Sequence, residues 1–179
     1  MPISVAFLRG MNVGGHRVTN AELTSIFESL RLTDVVTYRA SGNIIFSHRA
    51  ARERALQTRL ERGLQAALGY AVPTFLRTAR EVATIASFAP FPAEVVAASK
   101  GKIQITMLSE APGVQAQARA LALSTDDDRL AVCGRELYWL PKGGMSESEL
   151  DLQGLEQALG VGTTRTMGTV QGIAKKCGG

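Results

Sequence analysis

The order of strand and helix patterns in the first half of the chain constrains its fold more than any other feature. Short apolar and β-branched runs predict strands, and two longer stretches with apolar residues at helical spacing predict amphipathic helices. The order strand, helix, strand, strand, helix, strand is that of the split βαβ or ferredoxin-like unit. The predicted elements are a strand at 3–9, a helix that starts at the capping-box sequence 19–22, a hairpin of strands at 35–39 and 43–47, a helix at 49–68 and a strand at 72–77.

The second half repeats this order less clearly. Its predicted elements are a short helix at 80–88, a connection at 89–101, a strand at 102–108, a helix at 113–123, a hairpin of 129–133 and 136–140, and a helix at 149–159. The tail at 163–176 fits either a last strand or a final helix. We therefore predict an α+β fold with a ferredoxin-like βαββαβ half at 1–79. A second α+β half with a helical C-terminus follows at 80–179, and a similar βαββα unit is one interpretation of it.

Composition is that of a globular protein. A chain of 179 residues, 45% hydrophobic and 20% charged, can bury about two thirds of its unfolded surface. No apolar run approaches the roughly 18 residues of a membrane span, and the N-terminus lacks the pattern of a secretory leader. The two cysteines, Cys133 and Cys177, have no zinc-ligand spacing. We expect a cytoplasmic protein with no cofactor, metal or membrane partner, and the sequence leaves its oligomeric state open.

Positive charge is concentrated in the first half. Residues 1–80 contain eleven arginines against five acidic residues, a net charge of +6, whereas 81–179 contain nine basic and eleven acidic residues, a net charge of −2. Such an asymmetry indicates either an anionic partner or a solvated surface rich in arginine.

The first two strands of a ferredoxin-like unit run in the same direction, so the loop after strand one and the turn after strand two leave the sheet at one edge. We call the 10–17 loop and the 40–43 turn, together with the flanking Arg9 and Arg39, the loop edge. Glycines allow a ligand to approach the backbone closely, and arginine offers a planar fork that matches phosphate or carboxylate. The candidate ligand-binding residues are Arg9, Asn12, Gly14, Gly15, Arg39, Ser41 and Asn43 at this edge, with Ser146 and Arg165 from the second half.

The same residues also fit a purely structural interpretation. Glycines of the edge would form tight turns, and Asn12 and Asn43 would bond their own backbone. The spacing matches neither the Walker A motif nor the dinucleotide-binding fingerprint. His16 is a candidate general base, but no nucleophile with a partnered base can be named. The acidic run at 126–128 is interpreted as a solvated turn.

Two motifs of the first half resemble a known bacterial family. They are Phe-Leu-Arg-Gly-Met-Asn-Val-Gly-Gly at 7–15 and Tyr-Arg-Ala-Ser-Gly-Asn-Ile-Ile-Phe at 38–46. With Tyr-Trp-Leu-Pro at 138–141 and Thr-Arg at 164–165, they are similar to the family catalogued as domain of unknown function 1697. The chain departs from that family's pattern at Glu149, Thr166 and Gly168. The resemblance implies a two-part α+β fold with a ferredoxin-like first half, and it implies no activity.

Three functions are open from the sequence. The first is a binding module for a phosphate-bearing or other anionic ligand, a nucleotide or a nucleic acid, at the loop edge. Base stacking on Phe7 and Phe46, as in RNA-binding sheets, belongs to this hypothesis, although burial of both rings in the core is favoured. The second is a small enzyme with a site between the halves. The third is a protein-interaction scaffold with an exposed apolar patch.

Overall fold

The computed structural model describes residues 1–11, 17–39 and 42–178, which form two compact units. Unit 1 comprises Met1–Ala83 and Gly172–Gly179, and unit 2 comprises Thr84–Gln171. The predicted boundary between residues 79 and 80 stays a prediction.

Unit 1 has the predicted ferredoxin-like fold. Its four strands form one antiparallel sheet in the order β2-β3-β1-β4, and the two helices connect them as the sequence pattern predicts. Its elements are β1 (Ile3–Leu8), α1 (Asn20–Ser29), β2 (Thr33–Thr37), β3 (Asn43–Ser47), α2 (Glu53–Leu68) and β4 (Thr74–Thr78).

Local signals in the sequence determine where the two helices begin and end. The capping box of α1 is present: the Thr19 N–H donates to Glu22 Oε2 at 2.7 Å, and the Glu22 N–H donates to Thr19 Oγ1 at 3.2 Å. Helix α2 ends at Gly69, whose φ of 82° is in the left-handed region that favours glycine. Both signals were predicted from the sequence.

The core of unit 1 lies between its sheet and its helices. Phe27 of α1 and Phe46 of β3 meet edge to face, with ring centroids 5.4 Å apart. On α2, Leu56, Leu60 and Leu64 are buried at four-residue spacing. The opposite face of the sheet is buried as well, since Val5 and Phe7 are 0% exposed. Strand β1 is therefore central and covered on both faces, as its continuous apolar run predicts.

Unit 2 has the same topology as unit 1. Its sheet is antiparallel in the order β6-β7-β5-β8, and its last strand completes a βαββαβ unit where the sequence suggested βαββα. Its elements are β5 (Gln104–Leu108), α5 (Val114–Leu121), β6 (Asp128–Cys133), β7 (Glu136–Pro141), α6 (Leu152–Leu159) and β8 (Gly162–Thr166).

Further helices connect and extend the two folds. The tail is both a strand and a helix, because α7 (Met167–Gly178) follows β8 directly; the two alternatives for the tail are both realised. Of the ranges that the structure describes, none includes a helix that combines the length and the apolarity needed to cross a membrane. The other connecting elements are α3 (Ala79–Ser87), α4 (Ala93–Ala98) and a 3₁₀ helix (Met145–Glu147).

A buried carboxylate organises one end of unit 2. Asp128 is 4% exposed, and its Oδ1 accepts hydrogen bonds from Trp139 Nε1 and from Ser148 Oγ, each at 2.7 Å. The interpretation of 126–128 as a solvated turn is therefore wrong for Asp128. It remains right for Asp126 and Asp127, which are exposed. The error arose because the tertiary partner Trp139, eleven residues away, is invisible in the local sequence.

Candidate functional site

The described residues of the loop edge bring the end of β1 and the β2–β3 turn together. The Leu8 N–H donates to the Gly42 carbonyl at 2.8 Å, and the Arg9 N–H donates to the Pro73 carbonyl at 3.0 Å. Backbone bonds therefore fix the point where the chain enters the loop. The predicted site residues Asn12, Gly14, Gly15 and Ser41, like His16, lie outside the described residues, and their roles stay predictions.

Asn43 braces the turn of the loop edge. Its side chain is 1% exposed, and its Nδ2 donates to the Tyr38 carbonyl at 3.0 Å. The Tyr38 N–H in turn donates to the Asn43 carbonyl at 2.8 Å. This is the contact expected of an Asn that stabilises a turn, so a variant at Asn43 would alter the turn itself.

Gly42 permits the close approach of the two segments. Its φ is 67°, and a Cβ at this position would lie 3.0 Å from both Leu8 Cβ and Met11 Cγ. Any other residue would combine a left-handed backbone with crowding against β1. The turn is therefore tightly packed against the end of β1.

Positive charge lines the described part of the loop edge. Arg39 is exposed, its φ is 58°, and its guanidinium carbon lies 5.5 Å from the centroid of the Tyr38 ring, a cation–π contact. Arg9 is half-buried and Arg17 is exposed. The segments 9–17 and 39–43 contain no acidic residue. The carboxylate of Glu61 on α2 is bonded elsewhere: it accepts from the Thr74 N–H of β4 at 3.0 Å and from Gln57 Nε2 at 3.1 Å.

The two candidate residues of the second half belong to unit 2. Ser146 is exposed in the 3₁₀ helix. Arg165 on β8 is half-buried, and its Nη1 donates to Thr163 Oγ1 at 2.9 Å and to the Thr164 carbonyl at 2.8 Å. Burial lowers the pKa of Arg165 to about 10, so it is a cation at neutral pH.

Sequence reasoning missed a buried serine–histidine pair in unit 1. Ser4 Oγ lies 2.9 Å from His48 Nε2, and His48 Nδ1 lies 2.7 Å from the Arg49 carbonyl. Since a carbonyl only accepts, Nδ1 donates to it, and in the neutral imidazole Nε2 is then the acceptor for the serine hydroxyl. The residues are 44 positions apart, so no local signal reveals the pair. Their exposures of 5% and 6% make this hydrogen bond part of the interior rather than an accessible nucleophile.

Unit 2 contains an open depression of about 1070 Å³. The exposed Asp127 and Lys142 form an ion pair there at 2.8 Å. Within the described ranges, no three His, Cys, Asp or Glu side chains converge to hold a metal ion. The charged residues that line the depression are Lys100, Asp126, Asp127, Asp128, Lys142, Glu147 and Glu149.

Comparisons with known proteins support the fold and name no activity. A family model described as "Protein of unknown function (DUF1697)" matches residues 1–138. A solved structure, "conserved bacterial protein SP0830 from Streptococcus pneumoniae", is similar with a TM-score of 0.75 and 21% sequence identity over 100% of this chain and 99% of that chain. No curated protein matches the sequence.

Proposed function

Because the chain belongs to the family described as Protein of unknown function (DUF1697), whose description names no activity, we propose a function from the site itself. The protein is a binding module for a phosphate-bearing ligand of the nucleotide class, and the ligand binds at the loop edge of unit 1. The observation that carries this proposal is the hydrogen bond of 2.8 Å from the Leu8 N–H to the Gly42 carbonyl. It joins two segments that are rich in arginine and glycine and contain no acidic residue.

The backbone of Arg39 supports the proposal. A non-glycine residue in the left-handed region costs about 1–2 kcal/mol, and Arg39 adopts a φ of 58° there beside a glycine-containing turn. Glycine would be the least strained residue at this position. Arg31 shares this backbone conformation, so what distinguishes Arg39 is its place at the loop edge, where its exposed guanidinium lies beside Gly42 and no acidic residue.

The structure offers no support for RNA binding by base stacking on Phe7 and Phe46. Phe7 and Phe46 are both 0% exposed, as the sequence favoured, so neither ring is available to a base. The proposed contacts are therefore between arginine and phosphate. The free cysteines Cys133 and Cys177 fit the reducing cytoplasm, which is the location we propose.

The test is a thermal-shift screen of the purified protein with nucleotides, sugar phosphates and inorganic phosphate. A ligand at one hundred times its dissociation constant adds about 2.7 kcal/mol to the free energy of unfolding, which raises the melting temperature by roughly 5–10 °C for a chain of this size.

The informative variant is Arg39→Gly. We expect it to unfold within about 1 kcal/mol of the wild type, because relief of left-handed strain is offset by the greater freedom of glycine in the unfolded chain.

The matched control is Arg31→Gly. Arg31 is also an exposed arginine with a φ of 58°, but it follows α1 rather than lining the loop edge. Both variants lose one charge and the same backbone strain. The proposal requires that Arg39→Gly abolishes the ligand-induced shift and that Arg31→Gly retains it. A shift that survives in Arg39→Gly, or no shift with any phosphate ligand, would overturn it.

A further inference from the structure

An open groove of about 840 Å³ lies on the helical layer of unit 1, and no described residue of the loop edge lines it. Four arginines from the first part of α2 and from the residue before it line this groove. We call it the α2 groove; its charged residues are Arg52, Arg54, Arg59 and Arg62.

Helical spacing places the four arginines together. At 100° per residue, Arg52, Arg59 and Arg62 fall within one quarter of the helix circumference, and Arg54 lies on the adjoining flank. The buried face, with Leu56, Leu60 and Leu64, is on the other side. The arginines form a row about 15 Å long, given a rise of about 1.5 Å per residue.

The floor of the groove is formed by small side chains, at the point where α2 packs closely against Leu30. Leu30, which follows α1, lies directly over Gly63 of α2, where a Cβ would be 2.6 Å from Leu30 Cδ1. Ala55 and Thr58 complete the lining between the arginines. Small residues at the floor leave room for a group that the surrounding guanidinium groups can reach.

The positive charge of the groove is not neutralised within the described parts of unit 1. All four arginines are exposed, no carboxylate lines the groove, and no described residue forms an ion pair with any of them. By the same spacing Glu53 falls on the face of the buried leucines, while Glu61 lies about 20° from Arg54. The Glu61 carboxylate accepts from Gln57 Nε2 and from the Thr74 N–H. Four exposed cations in a row with no internal partner indicate an external polyanion.

We propose that the α2 groove binds the phosphate backbone of a nucleic-acid duplex. Guanidinium groups pair with phosphate oxygens in a planar, two-point geometry. One strand of a duplex carries a phosphate about every 3.4 Å along its axis, so a row of about 15 Å spans roughly four phosphates, one for each arginine. The proposed contacts are to phosphate groups, which carry no sequence information, so we expect binding to be independent of sequence.

The composition of the groove argues against a membrane surface. Helices that bind the membrane interface pair a basic face with exposed Trp, Phe or Leu side chains that enter the lipid. Apart from the half-buried Leu30, the side chains lining the α2 groove are arginine, alanine and threonine. This site is separate from the loop edge, and the proposal does not rest on the proposed function.

The test measures binding of a fluorescently labelled duplex of 20 base pairs by anisotropy between 50 and 200 mM salt. Each phosphate contact contributes about −0.9 to the slope of log K against log salt. We expect a slope of about −3.6 for the wild type, which is a loss of roughly 100-fold in affinity over this range. The double variant Arg59→Gln/Arg62→Gln should reduce the slope to about −1.8 and weaken binding at least ~10-fold at 50 mM salt.

The matched control removes the same charge from unit 2. Arg119→Gln/Arg129→Gln changes two exposed arginines outside the groove, and it should leave affinity and slope as in the wild type. Equal losses in the two double variants would mean that only net charge matters and would overturn the site. Absence of duplex binding at 50 mM salt, or preferential binding to phosphatidylserine vesicles, would contradict the claim that the ligand is a nucleic-acid duplex. Arg39→Gly should bind the duplex normally, which separates this proposal from the loop edge.

Discussion

Both the backbone conformation and the close packing at the loop edge require glycine at position 42. Replacing it with alanine forces a side chain into the left-handed region, which costs about 1–2 kcal/mol, and places a Cβ 3.0 Å from Leu8 and Met11. We expect Gly42→Ala to lower the free energy of unfolding by about 2–3 kcal/mol, measured by urea denaturation. Gly69→Ala is the control, because Gly69 also has a positive φ but has nothing within 4 Å of the added Cβ. Equal losses in both variants would show that packing at Gly42 contributes nothing.

The Glu22 carboxylate in the capping box of α1 makes the stability of the fold depend on pH. Hydrogen bonds from the Thr19 backbone N–H, and then from its hydroxyl, lower the pKa of Glu22 below its ordinary value of 4.5. A carboxylate with a lowered folded-state pKa stabilises the fold above its unfolded pKa and loses this contribution as the pH falls through the folded value. We expect the stability difference between the wild type and Glu22→Gln to be present at pH 7 and to vanish below the folded pKa. A difference that persists unchanged into strong acid would contradict this assignment.

At the scale of elements, Asp128 joins the β6–β7 hairpin to the segment before α6. Asp128→Ala leaves the buried Trp139 Nε1–H and the Ser148 hydroxyl without their acceptor, which should cost about 2–4 kcal/mol. Asp127→Ala removes an exposed ion pair with Lys142 and should lower the free energy of unfolding far less than Asp128→Ala does, because water screens the exposed pair. Urea denaturation of both variants tests this contrast. A cost of less than 1 kcal/mol for Asp128→Ala would mean that water replaces the lost acceptor.

Elements with local signals could be predicted from the sequence, whereas β8, which lacks such a signal, could be predicted only as one of two alternatives for the tail. The capping box at Thr19 and the glycine at 69 gave correct helix ends because caps depend on neighbouring residues. Strand β8 has the polar sequence Gly-Thr-Thr-Arg-Thr, and only its pairing with β5 makes it a strand. The α2 groove was missed for a similar reason. Its arginines were visible on the helix, but the contact of Leu30 with Gly63 that forms the floor is tertiary.

The whole molecule repeats one topology but not its chemistry. The Leu108 N–H donates to the Arg135 carbonyl at 2.9 Å, in the same place as the bond from Leu8 to Gly42 in unit 1. The loop after β5 at 109–113 contains Glu110 and no arginine, whereas the loop edge contains arginines and no acidic residue. Unit 2 therefore reproduces the contact between the strand end and the turn, but its loop and turn combine Arg135 with Glu110 instead of carrying arginine without an acidic residue. The proposed anion-binding function belongs to unit 1, which matches the net charge of +6 in residues 1–80.

The most direct test of the central claim is a ¹H–¹⁵N NMR titration of the protein, which at 19.1 kDa is suited to the method, with the best phosphate ligand from the screen. Binding at the loop edge predicts that the largest chemical-shift changes among the described residues occur at the backbone amides of Arg9, Gly10, Arg39 and Gly42. These changes should saturate together and disappear in Arg39→Gly. Changes confined to residues 84–171, or no saturable change in unit 1, would contradict the claim that the loop edge is the anion-binding site.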